Sequence, residues 1–433
     1  MNLSESLDYL EALAALGVRV GLDHTRHLAM RMGDPQRAYP CLIVGGTNGK
    51  GSTSSFLASI LRASGFRVGL YTSPHLVDVR ERVSVDGALI AEEAFASCLT
   101  RVRQEAEASV DRGELPAPPT YFEALTLAAF EHFRRSRVDV AVLEVGLGGR
   151  LDCTNIAEPV LSLVTNISLD HEDYLGQGLE NIAREKAGIF RPGVPAFTAA
   201  AEGMALETLR RCARTLGTPL HPLGECRLAR GEGSWRLACG NQSAELPYPN
   251  LPGGHQIENA ALAVRACWAL MDLGWPVPVS ALSEGIASAR WPGRLELVGR
   301  EPGLYLDGAH NPDGCRVLAD FVIGLPEPNR ALVFAVMKDK PAGDMLGLLL
   351  PLFGALWLTR VPVPRCMDPS ELALAFPSPR IRVQEDPMRA VHEAAVWAGR
   401  DGVVVVAGSL YLVGFVKSAQ ERGGVSRSWG SGR

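Results

Sequence analysis

The sequence offers little to a polyanion, a membrane or an oxidising compartment. Lys and Arg total 43 against 48 Asp and Glu, giving a formal net charge of -5 at pH 7, and aromatic residues make up only 6% of the chain. No basic run is interleaved with aromatics, so a nucleic-acid backbone finds no matching surface. The longest nearly apolar stretch, Leu346 to Leu358, is interrupted by Gly347, Pro351 and Gly354. It is too short for a bilayer, whose core takes roughly 20 residues of helix. The opening MNLSESLDYLEAL is acidic where an export signal needs a basic start and an apolar run. The nine cysteines are scattered, with no CxxC pair and no matched histidine pair. They read as free thiols behaving as small hydrophobes, which excludes a disulfide framework and a zinc site. The expectation is a soluble, cytoplasmic protein, monomeric, with neither nucleic acid nor membrane as partner.

What is present is a chain of 433 residues, 47% hydrophobic and 21% charged, long enough for two domains. Short apolar runs at Cys41–Val44, Val68–Tyr71, Val138–Glu144 and Val160–Thr165 alternate with helix-period segments at Ser52–Ala63, Glu92–Ala108 and Tyr121–Arg134. That alternation predicts a mostly parallel sheet with crossover helices. Around Gly231-Glu232-Gly233 and Gly240-Asn241 the pattern changes to a small antiparallel meander, followed by a helix over Asn259–Leu273. A second α/β series begins near residue 295, with strands expected at Leu304–Leu306, Ala331–Val336, Ala355–Thr359 and Val403–Val406. The fold class is therefore α/β: a P-loop ATPase domain over 1–294 and a smaller Rossmann-like domain over 295–433. The Gly/Ser-rich tail from Gly423 is expected to fray.

Between the first strand and the first long helix runs Gly45-Gly46-Thr47-Asn48-Gly49-Lys50-Gly51-Ser52-Thr53. Glycines at a strand-to-helix turn let backbone N–H groups face a phosphate, and the helix N-terminus favours the anion. Lys50 suits the outer phosphates, and Ser52 or Thr53 offers a hydroxyl to Mg²⁺. The run departs from the usual GxxxxGK[ST] spacing, because Gly51 separates the lysine from the hydroxyl residues. Glu144 ends an apolar strand and His171 follows another, at the strand C-termini where open α/β sheets place ligands. Taken singly, Glu144 serves equally as a turn cap and His171 as a hydrogen-bonded loop residue. Beside a phosphate loop, the pair reads as metal ligands.

The variant loop GTNGKGST resembles that of the Mur ligase superfamily. The markers TSPHL (Thr72–Leu76), ERVSVDG (Glu81–Gly87), TYFEALT (Thr120–Thr126), EVGLGGRLDCTN (Glu144–Asn155), TNISLDHEDYLG (Thr165–Gly176), EKAGI (Glu185–Ile189), HQIENA (His255–Ala260), PGRLE (Pro292–Glu296) and DGAHNP (Asp307–Pro312) narrow the resemblance to the folylpolyglutamate synthase and dihydrofolate synthase family. Cys153 departs from the Ala or Ser more usual there. The resemblance implies ATP and Mg²⁺ as cofactors, leaves a monovalent cation open, and makes dihydropteroate or a folate, L-glutamate and ATP the partners.

Carried over by position, the resemblance implies that nucleotide is held by Gly46, Thr47, Asn48, Gly49, Lys50, Gly51, Ser52, Thr53, Asn259, Arg294, Asp307 and His310. Metal falls to Ser52, Ser73, Glu144 and His171, with Lys186 as a further ligand if carbamylated. Without the resemblance Lys186 reads as a surface lysine on an amphipathic helix. The catalytic candidates are Lys50, Lys186, His310 and Asp307. The acceptor falls to Ser73, Pro74, His75, Arg82, Tyr121, Phe122 and Asp152. Phe122 reads equally as a core residue and Arg82 as a solvated hairpin charge. The expected reaction adds L-glutamate to dihydropteroate, a reduced folate or both through an acyl phosphate. If both domains contact phosphate, closure would protect that intermediate from water. The alternatives are a cell-wall Mur ligase and a nucleotide switch or motor that only hydrolyses ATP.

Overall fold

The computed structural model describes residues 1–17 and 19–422; the tail expected to fray, from Gly423, lies outside the described residues. The first sheet is built from β1 (Cys41–Gly45), β2 (Val68–Tyr71), β3 (Val83–Val85), β4 (Ala88–Leu89), β5 (Val140–Glu144), β6 (Pro159–Val164), β7 (Ala196–Thr198) and β8 (Leu220–Pro222). Its order is β4-β3-β2-β5-β1-β6-β7-β8. From β2 to β8 all neighbours are parallel, and β3 and β4 extend the edge as an antiparallel hairpin. Its central strands β1 and β5 are buried at every position, as parallel strands covered on both faces require. The expected strands of this sheet are all present. The last two strands, β7 and the edge strand β8, have three residues each, too short for a periodicity to register.

The meander comprises β9 (Arg227–Arg230), β10 (Ser234–Cys239) and β11 (Gln242–Pro247), all antiparallel. Here one expectation is corrected: Cys226 and Cys239 form a disulfide. The register that pairs Trp235 with Arg230 and Ala238 with Arg227 carries on one step to set Cys239 opposite Cys226. Thirteen residues apart in sequence, the two thiols meet only because the Gly231–Gly233 turn folds the strands back. The other seven cysteines are free, and all but Cys212 are buried.

The second sheet contains β12 (Glu296–Arg300), β13 (Gly303–Leu306), β14 (Arg330–Phe334), β15 (Ala355–Leu358), β16 (Ile381–Val383) and β17 (Val403–Ala407) in the order β12-β13-β17-β14-β15-β16. Only β12 runs antiparallel to its neighbour. Alternate residues feed two separate cores. Leu304, Leu306, Val333, Val404 and Val406 face one side, and Leu332, Phe334, Leu356, Val405 and Ala407 the other. Burying one such Leu, Val or Phe contributes roughly 1.5–3 kcal/mol, so both faces hold the sheet in register.

The chain divides into two compact units. The first comprises Met1–Pro74, Arg80–Asn250 and Ile257–Ala289; the second comprises His75–Val79, Leu251–Gln256 and the chain from Arg290. Among the described residues no helix is long and apolar enough to cross a membrane.

Candidate active site

In the first unit the phosphate loop leaves β1 and enters the helix Lys50–Ala63. Two glycines in it are enforced. Gly46 has φ +135°, and a β-carbon there would coincide with the Thr165 hydroxyl; Gly49 has φ +82°, and a β-carbon there would meet the Asn259 amide. The Lys50 ammonium donates to the carbonyls of Gly46 at 3.1 Å and Thr47 at 2.9 Å, so it lies folded along the loop. The Thr53 hydroxyl is buried without a hydrogen-bond partner. Such an orphan is costly unless a ligand satisfies it.

Lys186 is not on the surface, as the amphipathic pattern alone suggested; it is 4% exposed. Its ammonium donates to the same Gly46 carbonyl at 2.7 Å. Burial, and then the nearby Lys50 charge, pull its pKa down to about 7. Glu144, at the C-terminal end of β5, is buried and accepts the Ser73 N–H at 3.1 Å. The expected metal ligands Glu144 and Ser73 are thus brought together. His171 begins a short helix from a left-handed backbone (φ 54°), with its ring partly exposed beside Asp170. Among the described residues no three His, Cys, Asp or Glu side chains cluster with metal geometry. The candidate set mixes hydroxyls, one carboxylate and one imidazole. The orphaned Thr53 hydroxyl and the buried Glu144 carboxylate fit a hard, oxygen-seeking cation.

The acceptor candidates form a second group in the same unit. Thr120 and Glu123 make a reciprocal capping box for the helix Tyr121–Ser136. Arg82 is 8% exposed and lies over the Tyr121 ring at 5.4 Å, so it is no solvated hairpin charge. Phe122 packs against Gly146, where a β-carbon would strike the ring at 2.5 Å. Its ring also neighbours that of Tyr71, with centroids 6.1 Å apart. Asp152 is buried and accepts the N–H groups of Gly146, Leu147 and Thr154 together with the Thr154 hydroxyl. Burial raises its pKa against these hydrogen bonds. Its carboxylate therefore shapes the 146–154 loop. Ser73 and Pro74 belong to this unit, and His75 to the other.

In the second unit Asp307 follows β13 and is 8% exposed. Its two oxygens accept the N–H groups of Ala309 and Leu295, each at 2.9 Å. Burial raises its pKa, opposed first by the Arg294 charge. The Arg294 guanidinium lies close over Gly308, 2.2 Å from where a β-carbon would stand. His310 Nδ1 donates to the Gly308 carbonyl at 2.7 Å, which places a proton on that nitrogen. Asn311 caps the helix Pro312–Ile323 through the Gly314 N–H. Arg294, Asp307 and His310 are therefore gathered around one glycine.

Sequence reading missed three elements. Thr165, Asn166 and Ser168 bind the phosphate loop; their motif served as a marker of the resemblance, with no role given to these three side chains. Arg19 reaches both His24 and the buried Glu123, tying the Gly21–His24 segment to the capping box. His255 is pushed down to about 4 by burial and then by Arg294. The HQIENA segment was visible as a motif, but no spacing rule assigned its histidine a partner.

Two family models match: the Mur ligase middle domain over residues 44–200, and the Mur ligase, glutamate ligase domain over 293–410. The dihydrofolate synthase/folylpolyglutamate synthase of Bacillus subtilis is 34% identical over 95% of this chain and 98% of its own length. An E. coli FolC structure in complex with DHPP and ADP superposes with a TM-score of 0.89 at 34% identity, covering 98% of this chain and 99% of that one. A bifunctional folylpolyglutamate synthase/dihydrofolate synthase of Yersinia pestis, complexed with AMPPNP and Mn, gives a TM-score of 0.86 at 33% identity over 97% and 98% of the two chains. With the loop, the strand-end carboxylate and the DGAHNP turn in place, agreement along nearly the whole length means that the chain belongs to the folylpolyglutamate synthase and dihydrofolate synthase family of the Mur ligase superfamily.

Proposed function

We propose that this protein is an ATP- and divalent-metal-dependent ligase that joins L-glutamate to dihydropteroate, to a reduced folate or to both. The observation that carries this reading is the Gly46–Lys50 loop, held by Thr165, flanked by Asn259 and set beside Lys186. A carboxylate is a poor electrophile. The acceptor carboxylate takes the γ-phosphoryl group of ATP, the glutamate amine attacks the acyl phosphate, and phosphate departs from a tetrahedral adduct with the amine proton released to solvent. When bound, Mg²⁺ supplies neutralisation of the crowded phosphate charge. Ser52, Ser73, Glu144 and His171 are the residues that would hold it, joined by Lys186 as its carbamate. A lysine with its pKa near 7 is substantially a neutral amine at physiological pH, which is the form that adds CO₂.

Lys50 swings from the loop carbonyls to the outer phosphates. Its charge there counts most as the phosphoryl group transfers. Arg294 offers a planar fork to phosphate oxygens. Asp307 fixes the turn that presents His310, and the proton on Nδ1 orients that ring. Tyr121 and Phe122 offer flat apolar faces to the acceptor's rings. We further read the protein as a cytoplasmic monomer with no nucleic-acid or membrane partner; light scattering of the purified chain tests the first point.

Purified protein incubated with ATP, Mg²⁺, glutamate and either dihydropteroate or tetrahydrofolate should release ADP together with a glutamylated product. ADP release with no such product would contradict the ligase reading. Isotopically labelled carbon dioxide, followed by NMR, should mark Lys186 in the wild type and leave Lys186→Arg unmarked.

A further inference from the structure

The segment following β6 is hydrogen-bonded to the phosphate loop at several points. The Thr165 hydroxyl donates to the Asn48 carbonyl at 2.6 Å. Asn166 accepts twice: its backbone carbonyl from the Thr47 N–H at 2.9 Å, and its side-chain oxygen from the Asn48 N–H at 2.7 Å. The Thr47 hydroxyl donates to the Ser168 carbonyl at 3.2 Å and accepts the Ser168 N–H at 3.1 Å. Thr165 is 1% exposed, and its oxygen fills the space a β-carbon on Gly46 would need.

These bonds dispose of particular donors. The N–H groups of Thr47 and Asn48 are already engaged and point to the 165–168 segment. The ladder of the following helix starts with the Thr53 N–H on the Gly49 carbonyl, so the amides of Gly51 and Ser52 lie ahead of it, at the helix opening where anions bind. We propose that Thr165 and Asn166 are positioning residues for nucleotide. They hold the first half of the loop by its own amides and carbonyls, and so assign the phosphate to the amides that open the helix. The proposal rests on the loop being an ATP site and says which of its halves is preformed. It also gives the TNIS motif a role separate from His171: one strand end shapes the loop while its continuation carries a metal ligand.

The test compares an isosteric pair. Thr165→Val keeps shape and loses the donor, whereas Thr165→Ser keeps the donor; Asn166→Ala removes the side-chain acceptor. Thr165→Val and Asn166→Ala should each weaken ADP binding on the order of tenfold, with KM for ATP rising more than kcat falls. Thr165→Ser should stay within about twofold of the wild type. Acceptor affinity and thermal midpoint should hold in all three. Unaltered ADP binding in both disruptive variants would overturn the proposal. So would equal losses in Thr165→Ser, or acceptor affinity falling in step with ADP affinity. Should a variant fail to fold, amide exchange in the wild type decides. Thr47 and Asn48 should be protected before nucleotide is added, and ADP should newly protect Gly51 and Ser52. New protection confined to Thr47 and Asn48 would refute the assignment. No new protection anywhere in the loop would instead refute the ATP reading beneath it.

Discussion

The phosphate loop of the first unit and the DGAHNP turn of the second both follow a parallel strand, yet they are secured by different groups. The loop depends on distant chain: Asn166 and Thr165 stand 118 and 117 positions from their Asn48 partner. The turn combines short closures with strand-end ties: Asp307 binds amides at Ala309 and Leu295 and His310 closes on Gly308, while the Gly308 N–H reaches the Gly293 carbonyl and the Ala309 carbonyl accepts the Gly408 N–H. The loop also concentrates cations on one carbonyl, with Lys50 and Lys186 both donating to Gly46. The turn instead balances a buried Asp307 against Arg294. On the proposed function, the difference suits a region that would release its lysine to a ligand, set against one that would present a histidine in a fixed pose.

Removing the Lys50 cation should break the comparison most sharply. Lys50→Ala should lower ATP-dependent turnover by a hundredfold or more, on the order of a lost electrostatic group at a reacting centre. Its thermal midpoint should change little, and rapid-quench assays of product check both. Asp307→Asn should act through structure as well as turnover. It keeps one acceptor but weakens a charge-assisted pair of amide bonds, at about 1–3 kcal/mol in a denaturant titration.

A third test sharpens the electrostatic side. His255 has its pKa depressed in the folded chain, to about 4, by burial and the Arg294 charge. The unfolded chain therefore binds that proton at higher pH than the native one. Stability should be fully present above the ordinary histidine pKa, about 6.5, and should decline as pH falls towards 4, with no further loss from this group below that. In His255→Gln this part of the acid sensitivity should vanish, as followed by thermal melts across the same range. The smallest effect on turnover is expected at the meander. Cys226→Ser opens the Cys226–Cys239 bridge and should cost up to about 3 kcal/mol of stability, by loop-closure entropy, while leaving kcat near the wild-type value. Turnover with each substrate saturating would check this.

Much of this architecture was legible in advance. The apolar runs around β1, β5, β14 and β17 are buried at nearly every position, and such strands announce themselves. The loop was legible because glycine, lysine and hydroxyl residues at a strand-to-helix turn have few other uses. What escaped was whatever depends on register or on a remote partner. Cys226 and Cys239 meet through the β9–β10 register. Lys186 sits on a helix whose pattern suggested an exposed charge, and its burial comes from the Gly46 carbonyl 140 positions away. Arg82 was ambiguous for the same reason: no local pattern shows that the Tyr121 ring lies beneath it.

The Thr165 hydroxyl occupies the volume that any side chain at position 46 would claim. Loop and clasp are consequently a single transplantable part. An engineer who grafts GTNGKGST onto another strand and helix would move the recognisable letters and leave behind the mould that gives them their shape, so a successful graft has to bring the TNIS strand end along as its neighbour.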